Sequence, residues 1–530
     1  MSDSRQSVTT DDGAEATVEA DDDDARTLSD ALSTVFSGGA LAFGGKVVGI
    51  GLGFLTQLLM ARLLPAAGYG SVVLALSVAG IAGMLATAGV GEGVVRKLPA
   101  NEGDPARSRG VVRAAYRLVA VFGVLTGAAV FLAAPWISVA VFANPELGSL
   151  LRIAAVGVPF GAVSAVAIAL ARGAHSAKPH TYVNELVRPS LRFVLIGVLI
   201  AAGLGAVGTT IGHTAAIAAG GVVAVVLARR TLPSWDAAPV PMERTLLLFS
   251  LPLVVSQGMS FLLVNADTLM VGYFLVPDAV GTYNVTFQLR NLVQVALSGV
   301  SFLLPSMLAS LHVAGRMGEL RRVYQVVTKW ILFLTLPVFL GLFAFPDLVI
   351  TGLFGGKYAE GAPVLRVLLV GALVTVGLGL NGGALVGLDR NRVVMYTTSI
   401  GAVLNIVLNA LLIPEYGLVG AAVASSIAAI AFDGINVAVL YRSFGVVPLT
   451  VSELRPVALA LVLAVPWYLA VTVAGAPLVA MAACWLVTYP LLVARFGISE
   501  EDFDMLDRVE ASVGRDLGPL RRFLRTVGGT

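Results

Sequence analysis

The apolar residues of this chain come in long runs, one after another from about residue 38 to residue 494, with only short polar stretches between them. That pattern restricts the fold more than any motif does. A helix needs about 20 apolar residues to cross roughly 30 Å of hydrocarbon. In lipid each segment must satisfy its own backbone donors and acceptors, so runs of this length fold as helices. The runs predict spans near 39–63, 69–91, 112–136, 149–171, 181–203, 206–228, 245–273, 281–310, 326–350, 362–386, 393–413, 416–440, 455–474 and 476–494. An all-α integral membrane protein of about fourteen transmembrane helices is therefore expected. Composition agrees: the chain is 57% hydrophobic and 13% charged, with a mean hydropathy of +0.87, whereas soluble domains are about a quarter charged. A soluble enzyme is excluded.

Basic residues test the count independently, because cytoplasmic loops carry the excess of Lys and Arg. Loop 92–110 holds Arg96, Lys97, Arg107 and Arg109, and loop 172–180 holds Arg172 and Lys178. Then come Arg229, Arg230 and Arg244, then Arg316, Arg321 and Arg322, then Arg390 and Arg392, then Arg442, then Arg495. The alternate loops 137–148, 204–205, 274–280, 414–415 and 475 hold none. The alternation fits fourteen crossings with both termini in the cytoplasm, and a multi-pass protein of the cell membrane is expected. Lys357 is the one loop exception, and Arg62, Arg152 and Arg366 also stand at outward ends of spans.

The ends of the chain differ from the middle. Residues 1–37 carry ten acidic side chains against Arg5 and Arg26, too polar a stretch to bury a core, so a disordered, solvated cytoplasmic tail is expected there. It has no basic n-region or small-residue cleavage site, which makes the first run a retained span. Phe503, Leu506, Val509, Val513, Leu517, Leu520 and Leu524 recur at steps of three or four, with Arg515, Arg521, Arg522 and Arg525 toward the end. An amphipathic cytoplasmic helix within 496–530 is expected, lying on the anionic inner leaflet or against a partner. The single Cys484 excludes an intrachain disulfide.

The two halves of the chain echo each other. Leu151-Arg152-Ile153-Ala154-Ala155-Val156-Gly157 returns as Leu365-Arg366-Val367-Leu368-Leu369-Val370-Gly371. Pro65, Ala67, Gly68 and Tyr69 match Pro277, Ala279, Gly281 and Tyr283, and Leu98-Pro99 matches Leu304-Pro305. Spans one to six thus pair with spans seven to twelve in the same orientation. A parallel repeat of this kind builds two lobes around a central site. The expected units are 38–230 (spans one to six), 244–441 (spans seven to twelve) and 455–494 (spans thirteen and fourteen).

Several stretches resemble the polysaccharide and oligosaccharidyl-lipid flippases of the MOP (multidrug/oligosaccharidyl-lipid/polysaccharide) exporter superfamily. They are Gly53-Phe54-Leu55, Ala61-Arg62-Leu63-Leu64-Pro65 and Tyr69-Gly70, then Phe249-Ser250-Leu251-Pro252 and Asn265-Ala266-Asp267-Thr268-Leu269. Later come Leu353-Phe354-Gly355 with Tyr358, Asn405 with Asn409, Ile413-Pro414, Tyr416-Gly417 and Gly420-Ala421-Ala422. The resemblance implies two six-helix lobes plus two C-terminal helices. It also implies a lipid-phosphate or lipid-diphosphate sugar that enters a central cavity from the side, with spans one, two, seven and eight lining it.

Ionisable residues within spans default to functional hypotheses. Lys46 in span one and Arg290 in span eight lie on elements that the resemblance places at the cavity. A guanidinium forks onto phosphate oxygens and an ammonium gives a compact counter-charge, so both are headgroup candidates. Snorkelling is the alternative for Lys46, and a structural salt bridge with Asp267 is the alternative for Arg290. Glu185, Arg188 and Arg192 fall at i, i+3 and i+7 near the cytoplasmic end of span five, as a basic mouth for phosphate or as an interfacial ion pair. Asp433 in span twelve has no obvious partner and is a candidate for a coupling proton or cation, as is Asp267. Gln57, Gln257, Asn381, Asn405 and Asn409 can bond sugar hydroxyls or join helices. The histidines form no site, with His213 isolated in span six.

A lipid-linked oligosaccharide flippase without catalytic residues is the leading expectation, with no cofactor, no metal and no nucleic acid. Its partners would be the lipid-linked glycan, membrane lipids and glycan-assembly or glycosylation enzymes, around a monomer. A cation-coupled multidrug exporter is the alternative, and it would favour acidic cavity residues over Lys46 and Arg290. A membrane glycosyltransferase or polymerase would need larger outward loops with paired carboxylates; these loops hold only isolated acids such as Glu146 and Asp278.

Overall fold

The computed structural model describes residues 44–497, apart from 234–235, 296, 298–303 and 474–476. The acidic tail and the amphipathic tail expected at the two ends lie outside the described residues. Within them the chain is helix, turn and loop, with no strand.

The first six expected spans correspond to helices α1 (Gly44–Leu63), α2 (Ala66–Thr87) with its continuation α3 (Val90–Lys97), α4 (Pro105–Trp136), α5 (Leu147–Gly173), α6 (Arg188–Ala201) and α7 (Gly205–Thr231). They are referred to as the first lobe. The second lobe comprises α8 (Glu243–Phe274), α9 (Pro277–Val293), α10 (Leu304–Val313), α11 (Met317–Ala344), the short α12 (Pro346–Phe354), α13 (Ala362–Gly377), α14 (Asn381–Gly387) and the long α15 (Asn391–Phe444). Helices α16 (Val451–Thr472) and α17 (Leu478–Phe496) follow.

Ten helices among the described residues are long and apolar enough to cross a membrane. The expectation of fourteen would be completed by 188–201, 277–313 and 478–496, and by reading 391–444 as two crossings. That last division has a local cause. Gly417 adopts φ 56°, ψ −134° inside α15, a backbone conformation open to glycine alone, and Pro414 removes a helical donor just before it.

The structure departs from the expected spans where helices break. Span five opens with a π-helical segment, Thr181–Val187, before the α-helix begins at Arg188. Span ten is split between α13 and α14 at Leu378–Leu380. Span nine ends at Ala344, and Pro346 starts a separate short helix in the first-turn position that tolerates proline.

Within the first lobe α5 packs against α2, α4 and α7, and within the second α15 packs against α8, α13 and α14. The lobes meet mainly where α2 crosses α8 and α9. The matched repeats face each other at that crossing. Any Cβ on Gly70 would strike the Pro277 carbonyl, and any Cβ on Gly281 would strike the Ala66 carbonyl. Small residues permit this close backbone approach, as is usual between helices in lipid. The end of the molecule that carries this crossing bears the loops expected outside the cell, and is called the outer end.

Candidate functional site

Between the lobes lie three cavities. One, of about 540 Å³, is lined by Gly83, Met84, Thr87 and Ala165 of the first lobe and by Gln257, Phe261 and Asn265 of the second. It shares Thr87, Gly161, Ala165 and Gln257 with a cavity of about 320 Å³ that runs to Glu92, Arg172, His180, Asn184 and Arg188. Arg172 and His180 are exposed, so this space reaches the end of the molecule that carries loop 172–180, a loop expected in the cytoplasm. The third, of about 400 Å³, lies between α1 and α9, with Gly53, Phe54, Gln57 and Arg192 facing Gln288, Asn291 and Gln294.

Arg188 and Arg192 stand on successive turns of α6 and serve different cavities. Arg188 Nη2 donates to Ser164 Oγ at 2.8 Å. The Nε atoms of both arginines are buried without a hydrogen-bond partner. Neither makes an ion pair with Glu185 among the described residues, so the interfacial ion pair, the alternative for these three, is not formed. The reason is the π-helical segment, whose wider turn moves Glu185 off the arginine face. Glu185 is directed instead onto α1, where Gly45 and Gly49 leave room for it.

His213 belongs with the arginines, although the sequence reading left it isolated. It lines a cavity of about 190 Å³ within the first lobe, with Gly157, Gly161 and Thr214, and lies within electrostatic range of Arg188 and Arg192. The signal was available: α6 and α7 form a hairpin turning at 202–204, which sets positions 192 and 213 opposite each other.

The second lobe buries a carboxylate instead. Asp267 is 3% exposed. Its Oδ1 accepts from Asn405 Nδ2 at 2.8 Å and Asn409 Nδ2 at 2.9 Å. Its Oδ2 accepts from Ser425 Oγ at 2.6 Å and from the Tyr283 hydroxyl at 3.0 Å. A carboxylate offers about four acceptor sites, and four neutral donors fill them. The salt bridge to Arg290, the alternative for that residue, is not formed among the described residues. Arg290 lies over the Phe287 ring at 5.2 Å, within electrostatic range of both Asp267 and Asp433.

Asp433, expected without a partner, has one: Asn381 Nδ2 donates to its Oδ1 at 3.0 Å. Asn381 also accepts from Asn436 Nδ2 at 2.9 Å, and Asn436 accepts from Thr397 at 2.8 Å. Asn381 is 1% exposed, stands at the break between α13 and α14, where it also donates to the Gly379 carbonyl at 3.2 Å, and lines none of the four cavities. Asn405 and Asn409 likewise serve Asp267. Gln257 and Gln57 do face cavities, and the Gln57 side-chain oxygen accepts from Tyr69 at 3.0 Å. Lys46, half-buried near the start of α1, lies in the electrostatic neighbourhood of His180 and lines none of these four cavities.

Cavities between two groups of helices, with matched repeats at their crossing, are the layout that a parallel internal repeat builds in a membrane protein. Residues 59–363 match the family model of polysaccharide biosynthesis proteins, and the chain belongs to that family. It is similar to a probable low-salt glycan biosynthesis flippase, Agl15 of Haloferax volcanii, at 25% identity over 35% of this chain and 39% of that one. It is also similar to an uncharacterized membrane protein of Methanocaldococcus jannaschii, MJ1068, at 28% identity over 37% of this chain and 40% of that one. The chain thus spans about two-fifths of the length of these relatives. In fold it resembles the lipid II flippase MurJ in an inward closed conformation, with a TM-score of 0.70 and 13% identity over 86% of this chain and 98% of that one. An inward-facing multidrug resistance MATE transporter gives a TM-score of 0.62 and 16% identity over 73% of this chain and 92% of that one.

Proposed function

We propose that this protein is a flippase that carries a lipid-linked glycan from the cytoplasmic to the outer leaflet of the cell membrane by alternating access. The observation that carries the reading is the pair Arg188 and Arg192: two guanidinium groups at cavity walls, each with a buried Nε that no protein group accepts. Phosphate oxygens suit such donors. The cavity between α1 and α9 brings Arg192 together with Gln57, Gln288 and Asn291, a cation with amides around it. The wider space beyond offers Gln257, Ser260 and Asn265 to a glycan. A glycan-biosynthesis flippase among the relatives supports this substrate class.

In this reading the residues do no covalent chemistry, both termini face the cytoplasm, and the monomer hands its cargo to glycan-assembly or glycosylation enzymes. Coupling falls on Asp267. Its four donors come from α9 and from both arms of α15, and the buried Asn409 Oδ1 is an acceptor without a donor. Taking up a proton or small cation would convert donors into orphans, or recruit their oxygens, and so change how α8 packs on α15.

A multidrug exporter of the same superfamily is the competing class. Its cationic cargo would need cavity carboxylates, and the three inter-lobe cavities hold only Glu92. The deciding experiment reconstitutes the protein in vesicles with a fluorescent lipid-linked oligosaccharide and measures its loss from quenching on the outer leaflet. Equal transport with a neutral lipid-linked sugar lacking phosphate, or with a lipophilic cation alone, would overturn the reading.

A further inference from the structure

Two of the cations that break the inside-positive pattern, Arg62 and Lys357, meet at the outer end, and each caps a helix of the other lobe. Lys357 Nζ donates to the carbonyls of Arg62, at 3.3 Å, and of Leu64. The adjacent Tyr358 hydroxyl donates to the Ala61 carbonyl at 3.1 Å. The Ala61 and Arg62 carbonyls lie in the last turn of α1, and that of Leu64 just past it; a helix cannot satisfy its last carbonyls internally, and they carry its negative dipole end. In return Arg62 Nη2 donates to the carbonyl of Gly352, in the last turn of α12, at 3.0 Å. Arg62 belongs to the first lobe and Lys357 to the second, so the capping is reciprocal.

Aromatic rings close the space beneath. Phe54 and Phe354 meet edge to face at 6.1 Å between centroids, and Tyr69 and Tyr358 at 6.3 Å. Below them the Tyr69 hydroxyl donates to Asn284 Oδ1 at 2.6 Å, beside the Gly70–Pro277 crossing. Tyr358 is fully buried, while Arg62 and Lys357 are exposed. A permanent interface would bury its polar bonds. Here the Arg62–Gly352 and Lys357–Arg62 bonds at the rim are exposed, so breaking them exchanges carbonyl for solvent at little net cost, while the buried Tyr358–Ala61 bond is the one whose release costs more.

We propose that this reciprocal capping is the outer gate of the transport cycle: Lys357 and Tyr358 hold the end of α1, Arg62 holds the end of α12, and outward opening releases all three. The inference rests on the two-lobe transporter reading but on no particular cargo. It also accounts for two positive charges at the outer end that run against the topology rule.

The test reads access to the cavity, and uses the full chain in sealed right-side-out vesicles. In a Cys484→Ala background, Val264→Cys places a thiol at the wall of the central cavity, and a membrane-impermeant maleimide is added outside. Lys357→Ala should raise the outside labelling rate by about threefold or more, the shift expected from losing one exposed charge-assisted contact. Lys357→Arg, which keeps a donor, should stay near the parent. Gly70→Ala should raise labelling further, because its methyl meets the Pro277 backbone and no side chain can yield. A cleavable bifunctional thiol bridge between Arg62→Cys and Gly352→Cys should abolish transport and outside labelling together, with recovery on reduction. Unchanged labelling in both Lys357→Ala and Gly70→Ala, or transport that continues across the bridged rim, would overturn the gate. Failure of the flippase reading would instead leave the labelling results intact while lipid-linked glycan stays unmoved.

Discussion

In the first lobe Arg188 and Arg192, half-buried like the nearby Glu185, each keep a buried nitrogen without a partner. In the second lobe the carboxylates Asp267 and Asp433 share the interior with the cations Arg290 and Lys329, and Asp267 is ringed by four neutral donors. A guanidinium with an idle donor can take an incoming anion without first breaking a bond. A carboxylate saturated by amides and hydroxyls from several helices is instead part of the packing, and its protonation is tied to how those helices sit. Under the function proposed above, cargo recognition would fall to the first lobe and coupling to the second. Arg290 sits on the second lobe within electrostatic range of both acids.

The sharpest way to break that assignment is to remove one charge from each lobe. Asp267→Ala would orphan four buried donors, at about 1–3 kcal/mol for each that finds no new partner, so the purified variant should lose at least about 3 kcal/mol of stability in a thermal or denaturant melt. Arg192→Ala removes a group that is itself imperfectly satisfied, so its melt should match the parent. Its transport should fall at least about tenfold, the worth of a charge-assisted bond to phosphate. If Arg192→Ala unfolds, or Asp267→Ala melts normally, the two lobes do not divide the work in this way.

Next in size is the double variant Arg290→Ala/Asp267→Asn. Were the two residues a structural ion pair, removing both would rescue folding and transport, because no buried charge would stay unpaired. Since Asp267 is satisfied by Tyr283, Asn405, Asn409 and Ser425, no rescue is expected. The double variant should transport no better than the worse single one, and the coupling energy in a double-mutant cycle should be under about 0.5 kcal/mol. A large positive coupling would restore the salt bridge as a state of the cycle.

A smaller effect separates bracing from binding within the second lobe. Asn381→Ala leaves Asp433 and Asn436 each short of one partner, so stability should drop by about 1–2 kcal/mol. The apparent KM for the lipid-linked glycan should move by less than about twofold, since Asn381 does not face the cavities and removes no ground-state contact. A KM change with an unaltered melt would return Asn381 to the sugar contacts.

How much of this was legible in the sequence follows from how local each feature is. The helical membrane fold could be read because hydrophobic run length is a property of the segment itself, and the division at Gly417 lies beside a proline that marks it. The cavity arginines could be nominated because an intramembrane guanidinium stands out against apolar neighbours. Their partners could not. Glu185 was set on the arginine face by assuming 3.6 residues per turn, and the π-helical segment Thr181–Val187 breaks that assumption. The donors to Asp267 lie 138, 142 and 158 residues along the chain on the α15 side, a distance across which no periodicity speaks. Asn405 and Asn409, one turn apart, announced a shared polar face but not its target. His213 was the miss that sequence alone could have avoided, since the short turn at 202–204 fixes which residues of the hairpin stand opposite.

The smallest expected effect belongs to Lys46, and it sharpens where the first lobe's binding site ends. Lys46 lines none of the four cavities, yet it lies near the inner entrance, by His180. A charge in that position acts on an anionic headgroup through space, and ions in solution screen it over a Debye length of about 10 Å at 0.1 M salt. Lys46→Ala should therefore raise the apparent KM by about twofold to threefold at low ionic strength, and the difference should vanish near 0.5 M salt. The maximal rate should not change, because an entrance charge alters encounter and not the step that moves the lobes. Arg192 makes a contrasting case: a partly buried guanidinium inside the cleft is screened far less, so the defect of Arg192→Ala should persist across the same salt series. Parallel salt dependence for the two variants would mean that Lys46 and Arg192 hold the headgroup together, and that the site reaches further down α1 than the cavities indicate.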